Sequence, residues 1–320
     1  MTKNKKFIIV FVVLFCLISG AIYWENFGVP FVGKEKQWSI GIYTGSSPFS
    51  LASPPNVINP VLTAKNVKDM EASFVADPFM VYEGDNWYLF FEVLDTNTGK
   101  GGIGLATSND GFKWNYKQIV LAEPFHLSYP YVFKWKNEYY MIPESNEAKS
   151  IRLYKAVDFP TKWIFINTLL QGHPFVDSSV VNFGGKWWMF TTIKYNNLFL
   201  YYADKLSGPW KAHPQNPILF NNPSISRSGG RVLIFDGRIF RFTQDGLPDY
   251  GRQVRAFETT ELTTLTYKEK EVVENPILKP SGRGWNADGM HNIDPHKIAE
   301  NRWIACVDGY RYVAVFGLKY

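Results

Sequence analysis

The sequence predicts an all-β chain that folds as a five-bladed β-propeller, and three observations support this prediction. A bulky apolar pair that follows a turn recurs five times, beginning at positions 87, 139, 187, 239 and 303. The spacings of 52, 48, 52 and 64 residues are close to the period of about 40–50 residues that is typical of propeller blades. Each pair lies in a predicted β-hairpin, and a further strand near the N-terminus is available to complete the last blade.

The first two strands of each repeat are predicted from a hairpin pattern. In blade one an apolar run at residues 77–82 is followed by a polar turn at residues 83–86 and then by Trp87 and Tyr88. Runs in the equivalent position begin at Tyr129 and Asp177. Short polar turns rich in Gly, Asn and Asp between apolar runs are typical of β-hairpins.

A third strand in each of the first four repeats ends near an aromatic residue, and a fourth apolar run follows it. The aromatic residues are Trp114, Trp163, Trp210 and Tyr267. The last repeat stops at residues 312–316, which we interpret as its third strand. We expect residues 38–43 to supply the missing outer strand, because closing a ring with both chain ends removes exposed sheet edges. The propeller is therefore predicted over residues 38–320.

Residues 1–24 are predicted to be an N-terminal membrane anchor or a signal peptide. Residues 7–23 are uncharged and apolar and follow three lysines, Lys3, Lys5 and Lys6. The stretch is longer than most signal-peptide cores, so we expect a transmembrane helix that stays attached. The lysines predict a cytoplasmic N-terminus and an extracytoplasmic propeller, either membrane-anchored or exported. Residues 25–37 are predicted to be a linker.

Charge and cysteine content exclude several classes of protein. The net charge is +5, and three of these charges belong to the N-terminal lysines, which leaves +2 for the rest of the chain. This argues against a nucleic-acid partner. Cys16 lies in the apolar segment and Cys306 has no partner in the folded body, so we expect neither a disulfide nor a cysteine metal site. No phosphate-binding loop or dinucleotide fingerprint is present, and no cofactor is predicted.

A polar residue stands five positions after the start of each apolar pair. These residues are Glu92, Glu144, Thr192, Gln244 and Asp308. Because the two strands of a hairpin are antiparallel, the residue ten positions before each pair, or nine in the last repeat, lies at the same end of the blade. The partners predicted in this way are Asp77, Tyr129, Asp177, the stretch Gly229-Gly230-Arg231, and Asp294. The sequence thus predicts one shared polar rim.

The rim carboxylates suggest acid–base chemistry on a glycosidic bond. Glycoside hydrolysis needs one protonated carboxylic acid and one ionised carboxylate on opposite sides of the bond, and crowded carboxyl groups can separate their pKa values in this way. We take Asp77, Glu144 and Asp177 as the candidate catalytic residues. The structural alternatives are a turn cap for Asp77 and a hydrogen-bonded structural carboxylate for Glu144.

A second set of residues is predicted to bind substrate. It comprises Glu92, Tyr129, Arg231, Gln244, Asp245, Trp285, His291 and Asp308. Arg231 could clamp an anionic group after two glycines that let the backbone approach a ligand, or form a salt bridge with a rim acid. Trp285 could stack on a sugar ring or cover a blade edge. His291, with Asp294 and His296, matches no specific metal-ligand spacing, so we expect a surface histidine and no metal site.

Several motifs carry a resemblance to a known family. They are residues 76–79, 126–132, 141–145, 176–178 and 229–231, which read ADPF, HLSYPYV, MIPES, VDS and GGR. From about Trp38 to Tyr320 the chain resembles the N-terminal domain of plant glucosamine inositolphosphorylceramide transferases and its bacterial stand-alone relatives. In the plant proteins glycosyl transfer is attributed to a separate C-terminal domain, so the resemblance does not imply transferase activity for this region.

That domain is in turn similar to the five-bladed propellers of arabinanase- and fructosidase-type glycoside hydrolases. The resemblance implies that Asp77 matches their blade-one aspartate, the base or nucleophile. Their blade-two aspartate corresponds to Tyr129 here, and their blade-three acid falls near Asp177. Glu144 on a neighbouring strand could replace that acid.

Three functions follow as expectations. The first is a glycoside hydrolase-like enzyme that acts on a cell-envelope or extracellular saccharide. The second is a non-catalytic module that binds a polysaccharide or glycolipid through the same rim. The third is a structural partner in a cell-envelope assembly. Carbohydrate or glycolipid, and a membrane contacted through the N-terminal helix, are the predicted partners.

Overall fold

Every predicted hairpin forms the inner half of a four-stranded sheet. A computed structural model of the chain describes residues 32–316. In that part of the chain twenty β-strands form five sheets of four strands each. The all-β, five-bladed propeller predicted from the repeat is confirmed.

Four of the blades are built from consecutive strands. Blade one contains β3 (Ala72–Glu83), β4 (Asn86–Asp95), β5 (Gly101–Ser108) and β6 (Asn115–Leu121). Blade two contains β7 (Ser128–Trp135), β8 (Glu138–Glu144), β9 (Ser150–Asp158) and β10 (Lys162–Gln171). Blade three contains β11 (Phe175–Phe183), β12 (Lys186–Ile193), β13 (Asn197–Ala203) and β14 (Lys211–Ala212). Blade four contains β15 (Leu233–Phe235), β16 (Arg238–Asp245), β17 (Gln253–Leu262) and β18 (Tyr267–Glu271).

Blade five combines strands from both ends of the described chain. Its strand order is β19 (Ile293–Ala299), β20 (Arg302–Phe316), β1 (Val32–Ser47) and β2 (Ser50–Ala52). Closure by an N-terminal strand is confirmed, but residues 312–316 are the end of β20 and not a separate third strand. No turn residue interrupts the run after Gly309, so the second strand continues and the N-terminal region supplies two strands instead of one. β1 begins inside the stretch predicted as a linker.

The described residues divide into two units. The larger, Trp38–Arg311, holds the blades and the candidate site. The other contains the outer ends of β1 and β20, where Lys36 Nζ lies 5.9 Å from the centroid of the Tyr312 ring.

The apolar pairs that reveal the repeat are the packing anchors of the blades. Their first members, Trp87, Tyr139, Trp187, Ile239 and Trp303, are all buried. One apolar cluster extends through blades one to three, and others join blades five and one, three and four, and four and five. Burying side chains of this size is the main favourable term in folding, so the repeat provides a rigid scaffold for the rim.

The innermost strands of the first three blades contain the same irregularity. Asp77, Tyr129 and Asp177 have positive φ angles of 52°, 44° and 47°. At each of them the pairing with the second strand shifts register. Such bulges change the direction of a side chain and are frequent next to functional sites. The fold thus gives equivalent positions in three blades an unusual backbone.

Within residues 32–316 none of the helices has the length and apolar character needed to cross a bilayer. The apolar segment predicted to be a transmembrane or signal helix, residues 7–23, lies outside the described residues.

Candidate functional site

Five carboxylates from four blades are buried close to one another, and we call this set the acidic centre. They are Asp77, Glu92, Glu144, Asp177 and Asp308. Asp77, Asp177 and Asp308 are each close enough to act electrostatically on Glu92. The polar rim predicted from the hairpin geometry is therefore present, although its carboxylates are buried.

His291 links Asp308 and Asp77 on one side of the acidic centre, through a hydrogen bond to Asp308 and an ion-pair contact with Asp77. His291 Nδ1 lies 2.8 Å from Asp308 Oδ1, and His291 Nε2 lies 3.6 Å from Asp77 Oδ1. The Trp38 ring stacks on the imidazole with centroids 4.0 Å apart. The imidazole is thus held between two carboxylates and is positioned to share a proton with either.

Arg227 closes the other side of the acidic centre. Its Nε donates to Asp177 Oδ2 at 2.5 Å, and its Nη2 lies 3.5 Å from Glu144 Oε2. Gln244 Nε2 donates to the same oxygen of Asp177 at 2.7 Å. The guanidinium group is 14% exposed, so it separates these carboxylates from solvent and compensates the charge of Asp177.

Glu92 occupies the edge of the acidic centre beside His126. His126 Nε2 lies 3.4 Å from Glu92 Oε1, while His126 Nδ1 accepts the Gly101 N–H at 3.0 Å. Burial lowers the pKa of His126, which favours the neutral imidazole. A neutral ring that accepts at Nδ1 carries its proton on Nε2 and can donate it toward Glu92.

Burial is the main electrostatic influence on the acids. It raises the pKa of Asp77 to about 7, against the opposing effect of His291. Burial also raises the pKa values of Glu92 and Glu144 well above their ordinary values, and the charges of neighbouring carboxylates add to this effect. Burial alone would lower the pKa of His291, but contact with Asp308 raises it above its ordinary value. Protonated and ionised groups therefore lie side by side at neutral pH.

The same polar residues also link successive blades. Three contacts join the end of a second strand to the start of the next blade: Asp77 N–H to Asp308 Oδ2 (2.9 Å), Asp177 N–H to Glu144 Oε2 (3.3 Å) and Thr192 Oγ1–H to Ser226 O (2.9 Å). Each contact satisfies a backbone group that would otherwise be buried without a partner. The recurrent polar position thus has a structural role at three of the five blade junctions.

Arg231 does not lie at the acidic centre. Its Nε donates to Asp294 Oδ1 at 2.6 Å and its Nη1 donates to Val132 O at 2.9 Å. Burial alone would raise the pKa of Asp294, but Arg231 and His296 hold it well below its usual range. The salt-bridge alternative is therefore observed, and a contact of this residue with a ligand stays a prediction.

The two glycines before Arg231 accommodate protein and not a ligand. A Cβ on Gly230, whose φ is 148°, would lie 2.0 Å from the Ile293 carbonyl oxygen. Tyr129 also reaches Gly230, accepting its N–H at 3.0 Å and donating to its carbonyl at 2.7 Å. The close approach expected from the glycines is thus made by blade five and by Tyr129.

Tyr129 is fully buried and is not a rim residue. Its hydroxyl lies 2.9 Å from Ser179 Oγ in addition to its contacts with Gly230. These hydrogen bonds connect blades two, three and four, and the expected contact of Tyr129 with substrate stays a prediction. An aromatic ring fills the position because this is a packed interior.

Two further predicted binding residues lie away from the acidic centre. Asp245 accepts the Leu247 N–H at 3.0 Å and bonds Gln253 Nε2 at 3.0 Å, so it shapes a local turn. Trp285 is half-buried and packs against Gly41 and Gly309, which cover the blade edge together with it. Neither residue contacts the carboxylates in the described structure.

His291 is buried, so the expectation of a surface histidine is wrong. Asp77, His291 and Asp308 each offer a ligand atom, and these atoms lie within 4.8 Å of one another. They form the group in residues 32–316 that could hold a cation. Hydrogen bonds within the group already engage His291 Nδ1, and the absence of a metal site remains a prediction.

A pocket of about 360 Å³ opens beside Arg227, between blades three and four. We call it the tyrosine pocket, and its lining residues are Tyr195, Asn196, Pro223, Arg227, Gln244, Gly246 and Tyr250. Arg227, Tyr195 and Tyr250 were not predicted as site residues. The pattern Ser226-Arg227-Ser228 before the two glycines is the available signal for Arg227, but two arginines flank those glycines and the sequence does not say which faces the centre.

Chemically, the acidic centre can hold and transfer protons. Asp77 has a pKa of about 7, which suits a general base near neutral pH. Glu144, whose pKa burial raises well above its usual range, is suited to donate a proton. Arg227 and Gln244 fix the carboxylate of Asp177 next to Glu144.

The fold is shared with enzymes that act on glycans. β-1,2-Mannobiose phosphorylase from Listeria innocua superposes with a TM-score of 0.60 at 13% identity, covering 84% of this chain and 96% of that one. The catalytic domain of the GH62 α-L-arabinofuranosidase from Coprinopsis cinerea gives a TM-score of 0.55 at 12% identity, covering 85% and 96%. Fold and site together define a five-bladed β-propeller with an acidic centre, in the architecture of glycoside hydrolases.

The particular family is shown by sequence. Residues 32–310 match the family described as "Glucosamine inositolphosphorylceramide transferase 1, N-terminal". The chain is 38% identical over 329 residues to glucosamine inositolphosphorylceramide transferase 1 of Oryza sativa subsp. japonica, covering 92% of this chain and 44% of that protein. The Arabidopsis thaliana protein of the same name is 36% identical over 302 residues, covering 87% and 39%. The chain belongs to this family, and it spans less than half the length of these relatives.

Proposed function

We propose that this propeller acts on a glycan and that its acidic centre is a hydrolytic site. The observation that carries the proposal is the juxtaposition of Asp77 and Glu144, two buried carboxyl groups with raised pKa values, around the ion pair of Asp177 with Arg227. The similarity to glycan-processing enzymes in fold, and to a glycolipid glycosyltransferase in sequence, supports a saccharide or glycolipid as the substrate.

In the proposed reaction Asp77 is the base and Glu144 is the acid. Asp77 accepts a proton from water, and the water oxygen forms a bond to the anomeric carbon. The bond from that carbon to the leaving oxygen breaks, and this oxygen takes the proton of Glu144. The charge of Asp177 helps to keep Glu144 protonated.

The test compares variants on two kinds of substrate. Full-length protein in mild detergent is incubated with cell-envelope glycans and with aryl glycosides, beside Asp77→Asn, Glu144→Gln and, as a control, the exposed Asp204→Asn. We expect both site variants to release sugar from glycans at least about 100-fold more slowly. On a dinitrophenyl glycoside, whose leaving group needs no protonation, Glu144→Gln should keep most of its activity and Asp77→Asn should not. Equal activity of all variants would contradict the proposal.

The burial of the acids favours a second candidate, a non-catalytic glycan-binding module. Asp77 is 7% exposed and Asp177 is 1% exposed, and Arg227 lies between the tyrosine pocket and Asp177. Binding of a glycan by both the parent and Asp77→Asn, with no cleavage by either, would support this candidate and exclude the first.

We also propose that the propeller works outside the cytoplasm, attached through residues 1–24. The three lysines before an apolar segment support this placement. Protease added to intact cells should digest a tag fused after Tyr320. Digestion of the tag only after cell lysis would exclude a location of the propeller outside the cytoplasm.

A further inference from the structure

The tyrosine pocket has one charged lining residue, and that residue is a cation. No carboxylate is among the seven residues that line it, although Arg227 itself contacts two buried carboxylates, Asp177 and Glu144. The volume of about 360 Å³ lies in the range of about 300–1,000 Å³ that is usual for small-molecule sites. A ligand in this pocket therefore meets the guanidinium group before it meets any acid.

The guanidinium group of Arg227, a lining residue of the pocket, has donor capacity left. Arg227 Nε and Nη2 bond Asp177 and Glu144, while Nη1 has no hydrogen-bond partner among the described residues. Guanidinium groups present five N–H donors in a planar fork that matches carboxylate and phosphate oxygens. Arg227 can thus hold an anion without releasing Asp177.

Gln244 provides an independent sign of a missing ligand group. Its side chain lines the pocket and is 97% buried, and its Nε2 bonds Asp177 Oδ2 and Ser228 O. Its Oε1 is buried and has no hydrogen-bond partner in the described structure. Buried acceptors without partners are rare and costly, so a hydroxyl donor at the pocket floor would complete the environment of Gln244.

Two tyrosine rings border the guanidinium group. The Arg227 Cζ atom lies 5.4 Å from the centroid of Tyr195 and 5.0 Å from that of Tyr250. Tyr195 is 58% exposed and Tyr250 is 38% exposed. A sugar ring has apolar faces and hydroxyl groups at its edge. Exposed tyrosine rings can stack on the faces, and polar groups in the pocket can bond the hydroxyls.

We propose that the tyrosine pocket binds a saccharide that carries a carboxylate or phosphate group, with the anion on Arg227 Nη1 and the sugar ring between Tyr195 and Tyr250. A sugar hydroxyl donates to Gln244 Oε1. This inference rests on the proposed action on glycans and narrows it to acidic glycans. The pocket thereby selects the substrate next to the acidic centre.

The experiment compares sugars that differ in one substituent. Full-length protein in mild detergent is titrated with a hexose, the matching hexuronate and the matching hexose 6-phosphate, in the gluco and galacto series, with binding followed by calorimetry and by saturation-transfer NMR. We expect one of the acidic sugars to bind at least about tenfold more tightly than the neutral sugar, and added salt to reduce the difference. Tighter binding of the hexuronate would identify the ligand as a uronic acid, and tighter binding of the hexose 6-phosphate would identify it as a sugar phosphate.

Two variants show whether the pocket is responsible. Arg227→Gln should remove the preference, but it leaves buried carboxylates without their cation and could unfold the protein. Asn196→Asp keeps the Arg227–Asp177 pair and adds a carboxylate to the lining, so it should lower affinity for the acidic sugar at least about tenfold more than affinity for the neutral sugar. The control Arg238→Gln removes an exposed arginine from the same blade and should behave as the parent.

Equal binding of neutral and acidic sugars by the parent, or an acidic preference that persists in Asn196→Asp, would overturn the proposal. In either case glycan cleavage by the parent would leave the proposed hydrolytic function intact. Failure of every sugar to bind would also overturn it. Cleavage that is lost in Asp77→Asn but unaffected by Asn196→Asp would place the chemistry at the acidic centre and the substrate elsewhere.

Discussion

Asp77 combines an unusual backbone with an unusual proton affinity. Its φ of 52° places it in the left-handed region, where a non-glycine residue costs about 1–2 kcal/mol. The bulge directs its carboxylate toward His291 and lets it accept the Tyr129 N–H at 3.1 Å. The local strain is maintained by contacts to two other blades.

The raised pKa of Asp77 predicts a specific pH dependence of stability. An unfolded aspartate has a pKa of about 3.9, whereas the pKa of Asp77 in the fold is about 7. The folded state therefore holds the proton more tightly, and this stabilisation is lost as the pH rises from about 4 through 7. Between pH 5 and pH 8 the parent should lose on the order of 2 kcal/mol more free energy of unfolding than Asp77→Asn.

Urea denaturation at the two pH values measures this difference. The control Asp204→Asn changes an exposed carboxylate and should give a profile parallel to that of the parent. If the Asp77→Asn profile is also parallel, the carboxyl of Asp77 titrates normally and its role as a base near neutral pH is lost.

Tyr129 provides a test of the interior hydrogen bonds. Tyr129→Phe leaves the N–H and carbonyl of Gly230 and the Ser179 hydroxyl without this partner, so it should reduce the free energy of unfolding by about 1–3 kcal/mol. Tyr140→Phe, which removes a surface bond to Glu138, should cost about 0.5 kcal/mol or less. Equal effects in denaturant titrations would mean that the Tyr129 hydroxyl is not engaged as the structure shows.

At the level of the secondary-structure elements, the hairpin explains why the rim prediction holds in the first three blades and does not hold in blade four. Antiparallel pairing places the residue ten before each anchor near the residue five after it, and this geometry brought Asp77, Glu144 and Asp177 into one region. In blade four the two glycines provide no side chain, and the neighbouring strand occupies the space. The arginine that contacts the acidic centre is Arg227, two residues before the glycines.

Gly230 is predicted to be essential for the junction of blades four and five. Gly230→Ala places a methyl group 2.0 Å from the Ile293 carbonyl oxygen, so the strands must separate, and we expect a loss of at least about 3 kcal/mol. The matched control is Gly237→Ala in the hairpin turn of the same blade, which also has a positive φ, 73°, but has open space around the new methyl group. This control should cost about 1 kcal/mol. Thermal and urea denaturation of the two variants measures the loss in free energy of unfolding. Similar losses in both variants would contradict the close approach of Gly230 to Ile293.

At the scale of the whole molecule, the N-terminal region is part of the site as well as of the fold. β1 supplies the third strand of blade five and β2 the fourth. Trp38 of β1 covers His291 with its ring. The strand that helps to close the propeller therefore also covers His291 beside the acidic centre.

Removing these strands should abolish the folded state. A chain that begins at residue 53 lacks β1 and β2, which leaves the edge of β20 unpaired and uncovers part of the core. It should elute as aggregates in size-exclusion chromatography and lose its near-UV circular dichroism. A chain that begins at residue 25 keeps both strands and should behave as the parent. Native behaviour of the shorter chain would show that the ring does not need closure from the N-terminal region.

The sequence by itself predicts the repeat and the number of blades. It also predicts that Asp77, Glu144 and Asp177 lie in one region. The spacing of the apolar anchors and the antiparallel pairing of each hairpin depend on residues close in sequence. Packing the five blades together does not change them. The use of the N-terminal region to close blade five also follows, because an incomplete last repeat needs a partner.

The tertiary structure alone decided which polar residues face one another across the blades. Arg227 and Arg231 flank the same two glycines, yet Arg231 pairs with Asp294 and Arg227 with Asp177. Tyr129 occupies a rim position by register but is buried, and His291 lies inside because Trp38 packs over it. These outcomes depend on contacts between residues 50 to 250 positions apart, and the free energy of burying or pairing a charge is set by those distant neighbours, which no local pattern encodes.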